Sequence, residues 1–127
     1  MGPVAFTHGA RMFGLEPDYV IEARPFFELV ELPGSPKGLL GCVLQDGQFV
    51  PAVDAGIILN EVDDNAFNAF KVLLVVGKGS KVIALALKDI PMAIENENKE
   101  QTGQLQFLEI DELLKSCEAL VQGGDVK

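Results

Sequence analysis

Leu32-Pro33-Gly34-Ser35-Pro36-Lys37-Gly38-Leu39-Leu40-Gly41-Cys42-Val43-Leu44-Gln45-Asp46-Gly47-Gln48-Phe49-Val50-Pro51-Ala52-Val53-Asp54 is the stretch on which the reading of the fold turns. A turn-rich approach leads into an apolar run, a two-residue corner at Asp46-Gly47 and a returning apolar run. Asp-Gly between apolar runs points to a β-hairpin, because a type I′ turn needs positive φ at both central residues. That turn sets the register: Gln45 opposite Gln48, Leu44 opposite Phe49, Val43 opposite Val50 and Cys42 opposite Pro51. Alternation places Leu40, Cys42, Leu44, Phe49, Pro51 and Val53 on one face, with Phe49 read as core. Gly41, Val43, Val50 and Ala52 take the other face.

Pro51 fits this register. Bonded and non-bonded pairs alternate outward from a two-residue turn, and Cys42–Pro51 falls in a non-bonded slot. The missing N–H costs the hairpin nothing there. It does stop a third strand from bonding at that point, so an edge or a bulge is expected.

Working outward, 127 residues suit one domain, with an internal boundary expected in the polar segment near residues 60–66. With 48% apolar residues the chain has the material for a real core. Nineteen acidic against ten basic residues, a net charge of −9, exclude nucleic acid as the expected partner, since phosphate binding needs clustered Lys and Arg. No apolar run reaches the roughly 18–20 residues of a membrane span, so no membrane insertion is expected. Met1 to Phe6 has neither the basic flank nor the apolar centre of a signal peptide, and the expected localisation is cytoplasmic. Cys42 and Cys117 lie far apart with no metal-ligand spacing and read as two reduced thiols.

In chain order, Val4–Thr7 and Met12–Leu15 flank a turn at His8-Gly9-Ala10-Arg11, which puts His8, the one histidine, on the surface. Glu16 to Arg24 reads as one or two helical turns closed by Pro25, and Phe26 to Leu32 as a strand. Lys71–Val76 and Lys81–Leu87 are almost continuously apolar around Gly77-Lys78-Gly79-Ser80, which predicts a third hairpin buried on both faces. Pro91 to Ile94 is a further short strand, Glu95 to Gly103 a polar loop and Leu105 to Ile110 a last strand. A terminal helix follows, with Asp111 as N-cap, Leu113, Leu114, Cys117, Leu120 and Val121 at helical spacing, and Gly123-Gly124 as the stop. Three hairpins and one clear terminal helix predict a mainly antiparallel β-barrel fold.

The opening stretch also resembles the signature of CheW-like domains, the coupling proteins of bacterial chemotaxis. That signature runs leucine-proline-glycine-x-proline, then glycine, an apolar strand, arginine-glycine, apolar residues, proline, two apolar residues and aspartate. Here Leu32-Pro33-Gly34-Ser35-Pro36, Gly41, Gly47, Val50-Pro51-Ala52-Val53 and Asp54 fall at matching spacing, and the match continues upstream through Val20-Ile21-Glu22 and Phe13-Gly14-Leu15 to Gly9. The resemblance implies two small SH3-like antiparallel barrels sharing a core, no catalysis and no cofactor. It implies as partners a chemotaxis-type histidine kinase and a methyl-accepting chemoreceptor, with partner-binding positions at Val20, Glu22, Arg24, Asp46 and Leu73.

Three departures from the family pattern stand out. The turn arginine is replaced by Asp46, which sets two like charges, Glu22 and Asp46, where the family has an opposite pair. Within ~6 Å near the surface, such a swap is worth about 1–3 kcal/mol of partner preference. Asp46 is equally explained as a good type I′ turn residue. Lys88 stands where the family tends to carry aspartate, and the connection between Ile94 and Leu105 is far shorter than usual. The second barrel is therefore expected to be abbreviated, with an edge open to self-association.

Catalytic patterns are lacking at sequence level. Gly34-Ser35-Pro36 and Gly77-Lys78-Gly79-Ser80 match neither a phosphate-binding nor a dinucleotide loop, and none of the three serines has His8 nearby in sequence. The expected function is a non-catalytic adaptor coupling receptor to kinase. The alternative is a diverged module that no longer binds receptor and serves as subunit or competitor in another motility or pilus signalling assembly. A small-ligand-binding barrel has less support, because no apolar pocket with convergent polar groups can be read.

Overall fold

The computed structural model describes residues 2–9, 11–60, 70–94 and 105–122. Its elements are β1 (Val4–His8), β2 (Arg11–Leu15), β3 (Val20–Pro25), β4 (Val30–Glu31), β5 (Leu39–Gln45), β6 (Gln48–Asp54), α1 (Ala55–Ile58), β7 (Val72–Lys78), β8 (Lys81–Leu87), β9 (Met92–Ala93), β10 (Gln106–Phe107) and α2 (Ile110–Val121). Four strands form one sheet in the order β10-β2-β1-β9, and six form another in the order β3-β7-β8-β6-β5-β4. Pairing is antiparallel except for β6 with β8 and β10 with β2. The chain is mainly β with a C-terminal helix, an arrangement consistent with two small SH3-like barrels around a shared core, the second of them reduced to short outer strands.

β7 and β8 explain why two cores coexist. Val72, Leu74, Val76, Ile83, Leu85 and Leu87 point to one side, where they meet Phe6, Phe13 and Leu15 of the first sheet and Leu113, Leu114, Cys117 and Leu120 of α2. Leu73, Val75, Ala84 and Ala86 point to the other side and pack with Val43, Val50 and Ala52. A strand that is apolar at every position can serve both sides of a sheet, which is what the uninterrupted runs imply. Lys78 and Lys81 close the hairpin and reach α2: Lys78 Nζ lies 3.0 Å from the Asp111 carboxylate and Lys81 Nζ 3.6 Å from Glu118.

The Asp46-Gly47 hairpin forms in the expected register, with Cys42 opposite Pro51 through to Gln45 opposite Gln48. Asp46 has φ 50° and Gly47 φ 79°, as a type I′ turn requires. β8 joins β6 only from Ala52 onward, just past Pro51. The bulge lies across the ladder, between Leu39 and Gly41. Gly41 is needed there: a Cβ would stand 2.1 Å from the Val30 carbonyl oxygen. The bulge also corrects one face assignment, because Leu39 now packs into the first core and Leu40 into the second.

Phe49 requires a larger correction. It is 68% exposed and its cross-strand partner Leu44 49%, whereas Val43, Val50 and Ala52 are buried. The alternation is right but the cover is not continuous. Phe49, Pro51 and Val53 share a face, yet the first sheet and the helices cover it only at the Val53 end.

Other expectations shift for local reasons. His8 is buried at the end of β1 opposite Arg11, not displayed in a turn, and among the described residues its Nδ1 has no hydrogen-bond partner. Residues Pro17–Tyr19 form a single 3-10 turn, and the β-branched pair Val20-Ile21 starts β3 because the outer edge of β7 is there to be paired. Phe26–Glu28 is a second 3-10 turn rather than a strand; its Phe26 N donates to the Lys71 carbonyl at 3.2 Å while Phe26 and Leu29 pack into the second core. Only Val30–Glu31 remains extended. The last strand shortens to Gln106–Phe107, and the helix begins at Ile110. Its N-cap is Glu109, whose carboxylate accepts from Asp111 N and Glu112 N, leaving Asp111 free to bind Lys78. The boundary at 61–66, the loop 95–103 and the Gly123-Gly124 stop lie outside the described residues.

Two stability experiments follow. In urea denaturation, Val43→Ala should cost about 2 kcal/mol as a buried truncation, and Phe49→Ala less than about 1 kcal/mol. Burial pushes the Cys117 thiol up from 9.0 to about 12. A raised thiol pKa stabilises the fold below the unfolded value, and that contribution is lost as pH climbs through this window. Between pH 9 and about 12 the wild-type chain should therefore lose up to about 1.4 kcal/mol per pH unit that Cys117→Ala does not.

Candidate docking site

Of the five positions expected to bind partners, the structure links Glu22 and Arg24 through Gln45, the residue before Asp46, and buries Leu73. Leu73 is fully buried in the second core, directly across the ladder from Arg24, so it can act only through packing. Val20 is partly buried against the first core. Glu22 and Arg24 sit on β3, an edge strand, with a register shift between Val20 and Glu22. Asp46 is exposed at the hairpin corner.

Arg24 is the centre of this group. Its Nε donates to Glu28 Oε1 at 2.7 Å and lies 3.4 Å from Glu22 Oε1. Its Nη1 donates to Gln45 Oε1 at 2.9 Å and to the Leu44 carbonyl oxygen, and its Nη2 contacts Glu28. The side chain is 24% exposed. One guanidinium thus ties the strand at one end of the sheet order to the hairpin near the other, closing the seam of the barrel with a fan of charge-assisted bonds. Only a planar, five-donor group can serve so many acceptors in one place.

Gln45 was not singled out by sequence reasoning. It is buried, shares the inward face with Val43, and donates from Nε2 to Glu22 Oε2 at 3.5 Å. The available signal was its parity: an amide at an inward position of an apolar strand has to be paired. Glu22 therefore has its counter-charge two residues along its own strand, where the family places it on the turn. Two carboxylates, Glu22 and Glu28, meet this one guanidinium, so the local balance is negative. Lys88 turns inward to the ring of Phe70, with Nζ 5.5 Å from its centroid. Asp54, the last residue of the signature, caps α1 by accepting from Gly56 N at 2.9 Å.

The family model for the CheW-like domain matches residues 4–117. The chain belongs to the CheW-like domain family. Among solved structures, a similar one is the crystal structure of the scaffolding protein TtCheW from Thermoanaerobacter tengcongensis, with a TM-score of 0.58 and 16% identity. The match covers 74% of this chain and 65% of TtCheW, so this CheW-like chain spans a little under two thirds of that protein. No curated protein matches the sequence. Among the described residues, no group of three or more His, Cys, Asp or Glu is placed to hold a metal, and no helix is long and apolar enough to cross a membrane.

Replacing Arg24 tests the clasp. Arg24→Ala should cost about 1–3 kcal/mol by urea denaturation, because Gln45 and the Leu44 carbonyl lose a partner at the barrel seam. Amide exchange at residues 44–48 should accelerate more than exchange in β7, and Arg24→Lys should rescue little of either effect.

Proposed function

We propose that this CheW-like chain is a non-catalytic adaptor of a cytoplasmic chemotaxis-type array, joining a methyl-accepting chemoreceptor to a histidine kinase through protein contacts alone. The observation that carries this reading is the family match across nearly the whole chain. The local geometry supports it: the matched signature builds a rigid hairpin and a clasped strand edge, and its polar groups are engaged with one another.

Asp46 decides between this reading and a module that has left the receptor and serves another motility or pilus assembly. In an adaptor with a co-adapted receptor, the acidic corner faces the partner and contributes to choosing it.

Affinity capture from the native host, with the tagged chain as bait, should retain both receptor and kinase. Asp46→Arg should weaken receptor capture at least about tenfold, the effect of about 1.4 kcal/mol, while leaving kinase capture intact. Unchanged receptor capture by that variant, or capture of kinase alone, would favour the departed module.

A further inference from the structure

Gln45 and His8 are the buried polar side chains among the described residues, and the Gln45 amide stands between two opposite charges. Its Oε1 accepts from Arg24 Nη1 at 2.9 Å, and its Nε2 donates to Glu22 Oε2 at 3.5 Å. An amide can do this because it carries an acceptor at one tip and donors at the other. The two charges also fix its orientation: turned over, the NH2 would face the guanidinium and the oxygen the carboxylate. Gln45 continues the inward row of Val43 and closes the ladder opposite Gln48, next to the turn.

The two carboxylates on Arg24 are held differently. Glu28 accepts from Nε at 2.7 Å and contacts Nη2, so the guanidinium is committed to it. Glu22 meets Arg24 only at 3.4 Å and Gln45 at 3.5 Å, both at the long end of the hydrogen-bonding range, and its side chain is 47% exposed. It stands on the edge strand β3, just past the register shift that follows Val20. Such a carboxylate keeps its charge available to a partner, yet with one weak tether it would sweep through several rotamers. The Gln45 donor is the second tether. A carboxylate held at both oxygens meets an incoming cation from one direction, and less ordering is left to be done on binding.

We propose that Gln45 is a positioning residue for partner binding, acting through Glu22 rather than by touching the partner: its amide sets the direction in which the Glu22 carboxylate receives a Lys or Arg of the receptor. The inference rests on the adaptor reading, which puts Glu22 at the partner surface, and adds the group that orients it. Arg24 does not serve alone, because its closer bonds go to Glu28, Gln45 and the Leu44 carbonyl. A carboxylate at position 45 would hold Arg24 and push Glu22 away, so the arrangement requires a neutral group with a donor as well as an acceptor.

Three substitutions separate orientation from fold. Gln45→Met keeps the length and removes both bonds; Gln45→Glu keeps an acceptor for Arg24 and loses the donor to Glu22; Glu22→Gln removes the charge. In affinity capture from the native host with the tagged full chain, each should weaken receptor capture at least about tenfold. Added to Glu22→Gln, either change at position 45 should cost less than about twofold more, because it acts through a charge already gone. By NMR, the amide signals of β7 and β8 and the Arg24 Nε–H signal, held by Glu28, should stay in place. Should Gln45→Met disturb them, Gln45→Glu decides alone. Full receptor capture by Gln45→Glu would mean that the amide serves only Arg24, and additive losses with Glu22→Gln that it serves only the fold; either result overturns the proposal. A wild-type chain that captures no receptor sinks the adaptor reading and this inference with it. Wild-type capture of receptor and kinase that is indifferent to both changes at position 45 sinks this inference alone.

Discussion

Everything in this molecule depends on the burial of β7 and β8 from both sides. Each strand alternates its side chains between two apolar compartments, so the ribbon is a wall common to both. Residues on the two sides differ in size: leucine, isoleucine and valine fill the compartment under α2, and Ala84 and Ala86 line the narrow interior beside Ala52. A β-branched or larger side chain at those alanines would force the hairpin at 39–54 away from the wall. The wall thus contributes side chains to both compartments at once.

Polar groups act at the margins of this arrangement. Lys78 and Lys81 pin the tip of the wall to α2, while Arg24 fastens the free edge of β3 to the returning hairpin. The two sets differ in kind. The lysine pairs are solvent-exposed and worth little each, whereas Arg24 is largely enclosed and satisfies a buried amide and a main-chain carbonyl. Local precision is therefore concentrated at the hairpin corner, next to the surface the family signature marks.

The hairpins were legible because their information is local: Asp46-Gly47 dictates a turn, and the turn dictates the register. The doubly buried ribbon was legible from its unbroken apolar run. What could not be read was the extent of cover. Nothing local distinguishes Val53 from Phe49, which share a face and part company only because the helices and the first sheet stop short. The misread helical turn at 16–24 has the same origin, since its residues are extended by the edge of a strand some fifty positions away. At the candidate site, Glu22, Arg24 and Asp46 were named from the family pattern, but that Arg24 faces inward and needs Gln45 is a property of the closed barrel alone.

The alanines of the inner wall have one further consequence. Val43, Val50, Leu73 and Val75 pack with Ala84 and Ala86 in one buried cluster, and the two methyl groups let the hairpin at 39–54 lie close against the wall. The distance between hairpin and wall is thus fixed by the smallest side chains in the core, and any larger residue there would be felt at the Asp46-Gly47 corner.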